Sequence, residues 1–388
     1  MVLQTYPIQK KFQTPEFLRT LPHLRPRLPT NALLLHLRSQ VIASLTSFFA
    51  REGFVQTHTP VITSSDCEGA GEVFTVSSNA AKVSDQKSAD GQVEHFFRTP
   101  KYLTVSSQLH LEALAQSVGK VWTLSPTFRA EKSDTPRHLS EFYMLEAEMC
   151  FVDDMNSVMD LIENMLLTVA SDLGSSHVVQ AIMESKSSSS SGTSDDQDVS
   201  ADTLRKRWDG LAKPNWPRVT YERAIVALQE AQSNGVTFQF SPSWEDGLQA
   251  EHERYLAEHF GQGQPVFITN YPRHQKPFYM APSHDDKTVE CFDLLVPDLC
   301  ELVGGSMREH RSKELLESMR KHGLLEKTSG EGEEQSTSLQ WYADLRRYGS
   351  VPHGGFGLGF DRLMSYLSGV SNIRDVVAFP RWHGRCDC

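Results

Sequence analysis

Phe128–Met149, FRAEKSDTPRHLSEFYMLEAEM, predicts a β-hairpin, because two runs of alternating character flank a polar loop at Lys132–Ser140. Alternate residues of a strand share a face. Arg129 and Glu131 are therefore expected on one face of the first strand. The same face of the second strand carries Phe142, Met144, Glu146 and Glu148. A guanidinium can hold a phosphate through two parallel hydrogen bonds, and an aromatic ring can stack on a purine, so this surface indicates a nucleotide platform. A solvated face with weak salt bridges is the alternative interpretation.

A second informative stretch lies near the end of the chain. Gly354–Arg381 reads GGFGLGFDRLMSYLSGVSNIRDVVAFPR. Alternate glycines predict a strand that another backbone or a ligand can approach closely. The helix that follows places Arg362 in its first turn. The stretch has no GxGxxG opening and no GK[ST], which disfavours the Rossmann and P-loop nucleotide folds.

Both stretches resemble motifs of one enzyme family. FRAE…RHLSEF resembles motif 2 of the class II aminoacyl-tRNA synthetases, and GFGLGFDRL followed by NIRDVVAFPR resembles motif 3. Within this class the chain is most similar to the bacterial and organellar asparaginyl type. The supporting segments are CEGAGEVF (67–74), YLTVSSQLHLE (102–112), FITNYP (267–272), CFDLLVP (291–297), ELVGGSMREHR (301–311) and WYADLRRYGSVPHGGFGLGF (341–360). The resemblance implies an α+β fold, the class II synthetase catalytic fold, with a mainly antiparallel sheet flanked by helices.

The resemblance also implies a set of ATP-binding residues. Arg129 would neutralise the α-phosphate, and Arg362 would hold the γ-phosphate; both are expected to be catalytic. The remaining implied roles are adenine recognition by Glu131, adenine stacking by Phe142 and Arg362, and closure on the outer phosphates by Arg137 and His138. Asp293 and Glu301 are carboxylates on adjoining predicted strands, and Mg²⁺ uses few protein carboxylates together with phosphate oxygens and water. We therefore expect them to bind Mg²⁺ and Glu301 also to contact ATP.

A third set of residues is implied to bind the amino acid. Gln108 and Glu112 are four residues apart on a predicted helix and so share a face. Gln108 would contact the substrate backbone, and Glu112 would accept a hydrogen bond from the asparagine side-chain amide. A carboxylate at this position also repels aspartate. Glu68 is expected to hold the substrate amino group and Arg308 the side-chain carbonyl, whereas Arg311 and Arg346 are interpreted as surface arginines.

The predicted domain organisation is a linker followed by one large domain. Residues 1–30 contain the Pro-rich run LPHLRPRLP, which suits an extended connector, and resemble the hinge between the anticodon-binding and catalytic domains. We expect the catalytic domain at 31–388 and no OB-fold anticodon-binding domain before it. A Ser-rich insert at about 185–203 is predicted to be disordered.

An amphipathic helix is predicted at Asn31–Arg51, followed by a strand at Phe54–Thr63 that contains Pro60. This unit resembles motif 1, through which class II enzymes form homodimers. A plain core helix would show the same pattern. Further along, the sequence predicts a short strand at TFQF (237–240) and a helix over Trp244–His259.

Composition restricts the class of protein. The chain has 388 residues, a formal net charge of -11, 39% hydrophobic and 22% charged residues. This indicates a soluble globular protein and argues against strong non-specific nucleic-acid binding. The six cysteines form no CxxC pair, which favours reduced thiols inside a cell. No apolar run reaches about 18 residues, so no membrane span is expected.

The resemblance implies ATP-dependent activation of L-asparagine to asparaginyl-adenylate, followed by transfer to tRNA(Asn). Two alternatives remain. An asparagine synthetase-type paralogue would activate aspartate and also lacks an anticodon domain, and a non-catalytic synthetase-like protein would need only the fold. Bacterial-type motifs together with a Ser-rich insert favour the mitochondrial matrix over the cytoplasm, although no clear transit peptide is present.

Overall fold

The computed structural model describes residues 6–11, 13–64, 73–77, 95–133, 135–187, 198–325 and 338–388. The strands in these ranges are β1 (Val55–Gln56), β2 (Ile62–Thr63), β3 (Tyr102–Leu103), β4 (Lys120–Phe128), β5 (Glu141–Cys150), β6 (Arg218–Thr220), β7 (Val266–Thr269), β8 (Cys291–Val296), β9 (Cys300–Met307) and β10 (His353–Gly359). The helices are α1 (Pro15–Arg19), α2 (Pro29–Arg51), α3 (Gln108–Val118), α4 (Met155–Leu173), α5 (His177–Ser187), α6 (Ala201–Leu211), α7 (Tyr221–Ser233), α8 (Ala250–Gly261), α9 (Ser312–Lys321), α10 (Gln340–Arg347), α11 (Phe360–Ser368) and α12 (Ile373–Val376).

Eight of these strands form one sheet in the order β1-β4-β5-β10-β9-β8-β7-β6. Every neighbouring pair is antiparallel except the two outermost, β1 with β4 and β6 with β7, which are parallel. The predicted α+β class with a mainly antiparallel sheet is therefore confirmed. Strands β2 and β3 form a separate antiparallel pair.

The main core lies between this sheet and a layer of helices. On α2, a stripe at helical spacing, Leu37, Val41, Leu45 and Phe49, is fully buried. The Phe49 ring stacks on Trp122 of β4 with centroids 4.6 Å apart. By length and composition alone α2 could also cross a membrane. Its buried stripe, however, packs within the core that α4 and α11 share.

The predicted hairpin is present as β4 and β5, with Phe128 opposite Glu141. The first strand ends at Phe128, so Arg129 and Glu131 lie in the connection and not on the strand as expected. The Arg129 backbone N–H still donates to the Ser140 carbonyl at 3.0 Å. This bond extends the ladder by one pair and holds the arginine at the end of the sheet.

The glycine-rich strand and its helix are also confirmed, as β10 and α11. Arg362 lies in the first turn of α11. Asp361, directly before it, joins three elements: Arg38 of α2 donates to one carboxylate oxygen at 2.5 Å, and the Tyr143 N–H of β5 donates to the other at 2.7 Å. Arg362 is thus fixed relative to the hairpin.

Several local predictions are wrong. The strand expected at Phe54–Thr63 is two short strands in different sheets, and the segment between them contains Pro60, which cannot donate a ladder hydrogen bond. The run at 237–240 lies outside any strand. The helix expected from Trp244 begins only at Ala250.

The N-terminal segment is not extended. It contains α1 and a 3₁₀ turn at Arg25–Arg27. Arg19 and Arg25 both donate to Asp375, at 2.6–3.1 Å, and so attach this segment to α12. Within the segment predicted to be disordered, α5 continues to Ser187 and α6 begins at Ala201, whereas 188–197 lies outside the described residues.

Candidate active site

A cavity of about 330 Å³ lies over the centre of the large sheet. Its floor comes from β5, β8, β9 and β10, and its walls come from the start of α3 and the segment 275–280. The sequence-predicted residues that line it are Gln108, Arg129, Asp293, Glu301 and Arg308. The sheet therefore brings residues far apart in sequence to one concave surface.

Two glycines leave room for carboxylates at this site. A Cβ at Gly355 would lie 2.0 Å from Glu148 Oε2 and 2.3 Å from the Ala147 carbonyl oxygen. A Cβ at Gly304 would meet Asp293 Oδ1 and Glu301 Oε1, each at 3.4 Å. The carboxylates of Asp293 and Glu301, the two predicted metal ligands, thus lie on either side of the space that a side chain at Gly304 would fill.

The acidic end of the cavity is only partly neutralised by protein groups. Lys276 donates to Asp293 Oδ2 at 3.0 Å. Burial disfavours the ammonium charge, but Asp293 together with Cys291 and Glu301 outweighs this effect and raises the pKa of Lys276. Burial, together with Glu301 and Asp293, raises the pKa of Glu253 on α8 to about 7. Asp293 and Glu301 both line the cavity here, and carboxylate oxygens are the ligands that Mg²⁺ prefers.

The residues predicted to bind adenine and phosphate cluster beside the acidic end of the cavity. The Arg129 guanidinium lies over the Phe142 ring, 5.7 Å from its centroid. Glu131 lies 3.9 Å from Arg129 Nη1 and 3.6 Å from His138 Nε2. These side chains are one-third or more exposed, so a ligand can reach them.

Arg362 and Arg137 also lie near the acidic end of the cavity. Arg362 Nη1 donates to the Glu301 carbonyl at 3.0 Å and lies 3.6 Å from Glu301 Oε2. Arg137 Nη1 lies 3.6 Å from the Cys300 sulfur. The two arginines therefore meet at the start of β9, next to a predicted metal ligand.

At the opposite end of the cavity, the charged side chains are buried and paired with one another or with hydrogen-bond donors. Arg308 forms a bidentate contact with Glu148, at 3.0–3.3 Å, and donates to Ser306 Oγ at 2.6 Å. Ser106 Oγ and the Ser107 N–H both donate to Glu146, at 2.5 and 2.8 Å. These bonds fix the start of α3, and hence Gln108, against β5.

Glu112 lies behind the cavity wall and is fully buried. Its Oε1 accepts from Gln108 Nε2 at 3.0 Å, and its Oε2 accepts from Arg346 Nη2 at 2.5 Å. Burial opposes ionisation, but Arg346 and His353 outweigh it and lower the pKa of Glu112 well below its usual value. Arg346 was predicted to be on the surface; it is only 4% exposed, so that prediction is wrong. Arg311 is half exposed, as expected.

Sequence reasoning missed Glu148, Glu146, Lys276, Arg346 and Tyr342. The alternation of β5 did place Glu146 and Glu148 on the cavity face, but the sequence contains no local signal for their partners. Glu68 lies outside the described residues.

Comparison with known proteins is consistent with this geometry. Residues 15–383 match the sequence model of the family described as tRNA synthetases class II (D, K and N). The chain belongs to this family of class II aminoacyl-tRNA ligases.

Within the family, several similar relatives are of the asparagine type. The chain is 42% identical to the mitochondrial asparagine–tRNA ligase of Saccharomyces cerevisiae, over 98% of this chain and 74% of the relative. It is equally identical to the asparagine–tRNA ligase of Desulfotalea psychrophila, over 99% of this chain and 77% of the relative. Its structure resembles asparaginyl-tRNA synthetase from Pyrococcus horikoshii complexed with asparaginyl-adenylate, with a TM-score of 0.76 and 32% identity, over 96% of this chain and 74% of that chain.

Proposed function

We propose that this cavity activates L-asparagine with ATP and that the chain transfers the asparaginyl group to tRNA(Asn). The asparagine–tRNA ligases at 42% identity over nearly the whole chain support this activity. The observation that carries the proposal is one cavity with Arg129, Asp293 and Glu301 at one end and Gln108 and Arg308 at the other. This arrangement places groups suited to phosphates next to groups suited to a small amino acid.

In the first step the asparagine carboxylate attacks the α-phosphate of ATP in line, and pyrophosphate leaves. Negative charge builds on the phosphate oxygens, and preorganised cations stabilise it. Arg129 supplies this charge at the α-phosphate. Arg362 holds the γ-phosphate and one adenine face, and Phe142 lies on the other face.

Three residues of the hairpin connection complete the nucleotide site. Glu131 accepts from the adenine amino group, and Arg137 and His138 close on the outer phosphates. The exposure of Glu131 and His138 supports these roles, since each can move to meet a ligand.

Asp293 and Glu301 are proposed to hold Mg²⁺, and the two carboxylate oxygens facing Gly304 fit this ion. Magnesium would neutralise phosphate charge when it is bound with ATP. The ammonium of Lys276 balances Asp293 from the cavity wall.

Asparagine is recognised at the buried end. Gln108 Nε2 donates to Glu112 Oε1, so the amide of Gln108 takes the position proposed for the amide of the substrate. Substrate binding then exchanges one carboxamide for another and frees Gln108 to contact the substrate backbone. Arg308 donates to the substrate carbonyl, and Glu68 is assigned to the amino group by resemblance.

In the second step a terminal ribose hydroxyl of the tRNA attacks the activated carbonyl, and AMP leaves. No protein nucleophile is required, because the adenylate is already activated and positioning supplies much of the rate.

We further propose that the chain is a homodimer formed through α2 and the strands that follow it. Apolar side chains remain exposed along this unit: Leu35 at 43%, Val55 at 45% and Ile62 at 42%. A particle of about 44 kDa in light scattering, half of the expected mass, would contradict this assembly.

The mitochondrial matrix is the compartment we propose, supported by the yeast mitochondrial relative and the Ser-rich insert. Bacterial relatives match at the same identity, so a fluorescent fusion imaged in cells is the direct test. A diffuse cytoplasmic signal would refute this localisation.

The deciding experiment is pyrophosphate exchange into ATP, measured separately with asparagine and with aspartate. Exchange with asparagine and not with aspartate is the expected result. Exchange with aspartate alone would replace the proposal with an asparagine synthetase-type activity, and no exchange with either would contradict an active ligase.

A further inference from the structure

The surroundings of Glu112 are asymmetric. Its Oε2 accepts from Arg346 Nη2 at 2.5 Å and from Tyr342 Oη at 2.7 Å, and His353 Nε2 lies 3.1 Å away. Its Oε1 faces the cavity side, where Gln108 donates at 3.0 Å and Arg308 Nε lies 4.0 Å away. One oxygen is thus fixed from behind, and the other is directed toward the proposed substrate.

The donors behind Glu112 are themselves fixed. Arg346 Nε donates to the Glu309 carbonyl at 2.9 Å, and Arg346 and Tyr342 lie one helical turn apart on α10. His353 Nδ1 lies 2.7 Å from the Val351 carbonyl oxygen. A carbonyl only accepts, so Nδ1 carries a proton and fixes the ring orientation.

This cluster is not a metal site, although Glu112, Glu148 and His353 lie close enough together to hold an ion. Arg308 is paired with Glu148 and Arg346 with Glu112. Two guanidinium groups therefore already balance the two carboxylates, and a divalent cation would be repelled.

We propose that Arg346 and Tyr342 are positioning residues that hold Glu112 in the orientation that selects asparagine over aspartate. This inference rests on the proposed function and extends it to residues that do not contact the substrate. Helix α10 thereby sets the amino-acid specificity of a cavity whose wall it does not form.

The physical reason is that a buried carboxylate discriminates only while it is ionised and correctly oriented. With its donors in place, Glu112 accepts from an amide and repels a carboxylate. Without them, burial favours the protonated form, because the charge loses its compensation. A protonated Glu112 could donate to the aspartate carboxylate, and an unrestrained one could rotate toward Arg308.

The test uses Tyr342→Phe, which removes one hydroxyl from the full-length protein and keeps the ring. A hydrogen bond to a charged group contributes enough to change binding about tenfold. In pyrophosphate exchange we expect the KM for asparagine to rise about tenfold, with kcat and the KM for ATP within about twofold of wild type. We also expect aspartate to inhibit asparagine exchange at about tenfold lower concentration.

Tyr366→Phe is the matched control. Tyr366 is a buried tyrosine of α11 whose hydroxyl has no hydrogen-bond partner among the described residues. Its removal is expected to leave asparagine KM and aspartate inhibition unchanged, although the same hydroxyl is removed from a buried tyrosine.

Arg346→Lys and Arg346→Met provide a second comparison. Arg346→Lys keeps the positive charge but loses the forked geometry of the guanidinium. It should therefore retain more selectivity for asparagine over aspartate than Arg346→Met. An unchanged asparagine KM in Tyr342→Phe, or an equal rise in the KM for ATP, overturns the inference. If the wild-type protein itself shows no exchange with asparagine, the proposed function fails instead, so the two failures are distinguishable.

Discussion

Arg129 is the side chain on which the proposed first step depends most directly. It lines the cavity at the end of β4 and lies over the Phe142 ring. We predict that Arg129→Ala lowers kcat for asparagine-dependent pyrophosphate exchange by about 10²–10³, the usual cost of removing one preorganised charge stabiliser.

The comparison for this variant is Arg205→Ala, which removes an exposed arginine of α6 that, among the described residues, pairs with Asp202 across one helical turn. It should retain wild-type exchange. Near-normal turnover by Arg129→Ala would show that another cation stabilises the α-phosphate.

Lys276 allows a test of the proposed metal site that does not depend on catalysis. Its ammonium donates a hydrogen bond to Asp293 Oδ2 and would compete with a divalent ion for that carboxylate. We predict that Lys276→Met raises the affinity of the nucleotide-free protein for Mn²⁺ about tenfold, which corresponds to about 1.4 kcal/mol.

Electron paramagnetic resonance of free Mn²⁺ measures this affinity directly. Lys120→Met, at a lysine that contacts only the Glu52 carbonyl and the Phe54 ring among the described residues, is the control. Equal affinity in Lys276→Met and wild type would argue that Asp293 is not a ligand.

At this scale the sequence predicted residue types well and their partners poorly. Gln108, Arg129 and Arg308 reach the cavity as expected from motif resemblance. The pairs Arg308–Glu148 and Arg346–Glu112 join residues 160 and 234 positions apart. No local periodicity records such pairs, so Arg346 was misread as a surface arginine.

Among the elements, β10 imposes the strictest packing requirement. A methyl group at Gly355 would collide with Glu148 and with the Ala147 backbone of β5. We predict that Gly355→Ala destabilises the fold by at least about 2 kcal/mol, since overpacking of a tight core costs this much. Urea unfolding followed by circular dichroism measures the change.

Gly357→Ala, on the same strand, is the matched comparison. Its new methyl group would meet chiefly the flexible end of Met144, with Sδ at 3.2 Å, and a small loss is expected. Equal stability of the two variants would mean that β10 and β5 separate more easily than their register suggests.

Periodicity predicted long elements better than short ones. The hairpin and the α2 stripe follow from repeating patterns, and both are present. The prediction of one continuous strand at Phe54–Thr63 is wrong, because two short strands lie on either side of Pro60. The run at 237–240 forms no strand although its residues favour one. Short apolar runs take the conformation that tertiary packing provides, which local propensity does not specify.

For the whole molecule, the fold class followed from two motifs, since their combination occurs on one sheet architecture. The attachment of residues 15–27 to α12 did not follow, because it depends on Asp375 accepting from Arg19 and Arg25 across the full length of the chain. A Pro-rich composition predicted an extended connector, but these ion pairs favour a compact one.

Global stability should depend on pH through His110 of α3. Its ring lies 5.2 Å from Trp341 of α10, and burial lowers its pKa below the ordinary value of 6.5. Between these two pKa values the unfolded chain binds more protons than the folded one, so stability is full above about pH 6.5 and falls as the pH decreases below it. We predict that the loss of unfolding free energy between pH 7.5 and pH 5.5 is smaller in His110→Gln than in wild type.

His284→Gln, at an exposed histidine, should follow wild type. Identical pH dependence in His110→Gln and wild type would show that His110 can be protonated in the folded state without cost.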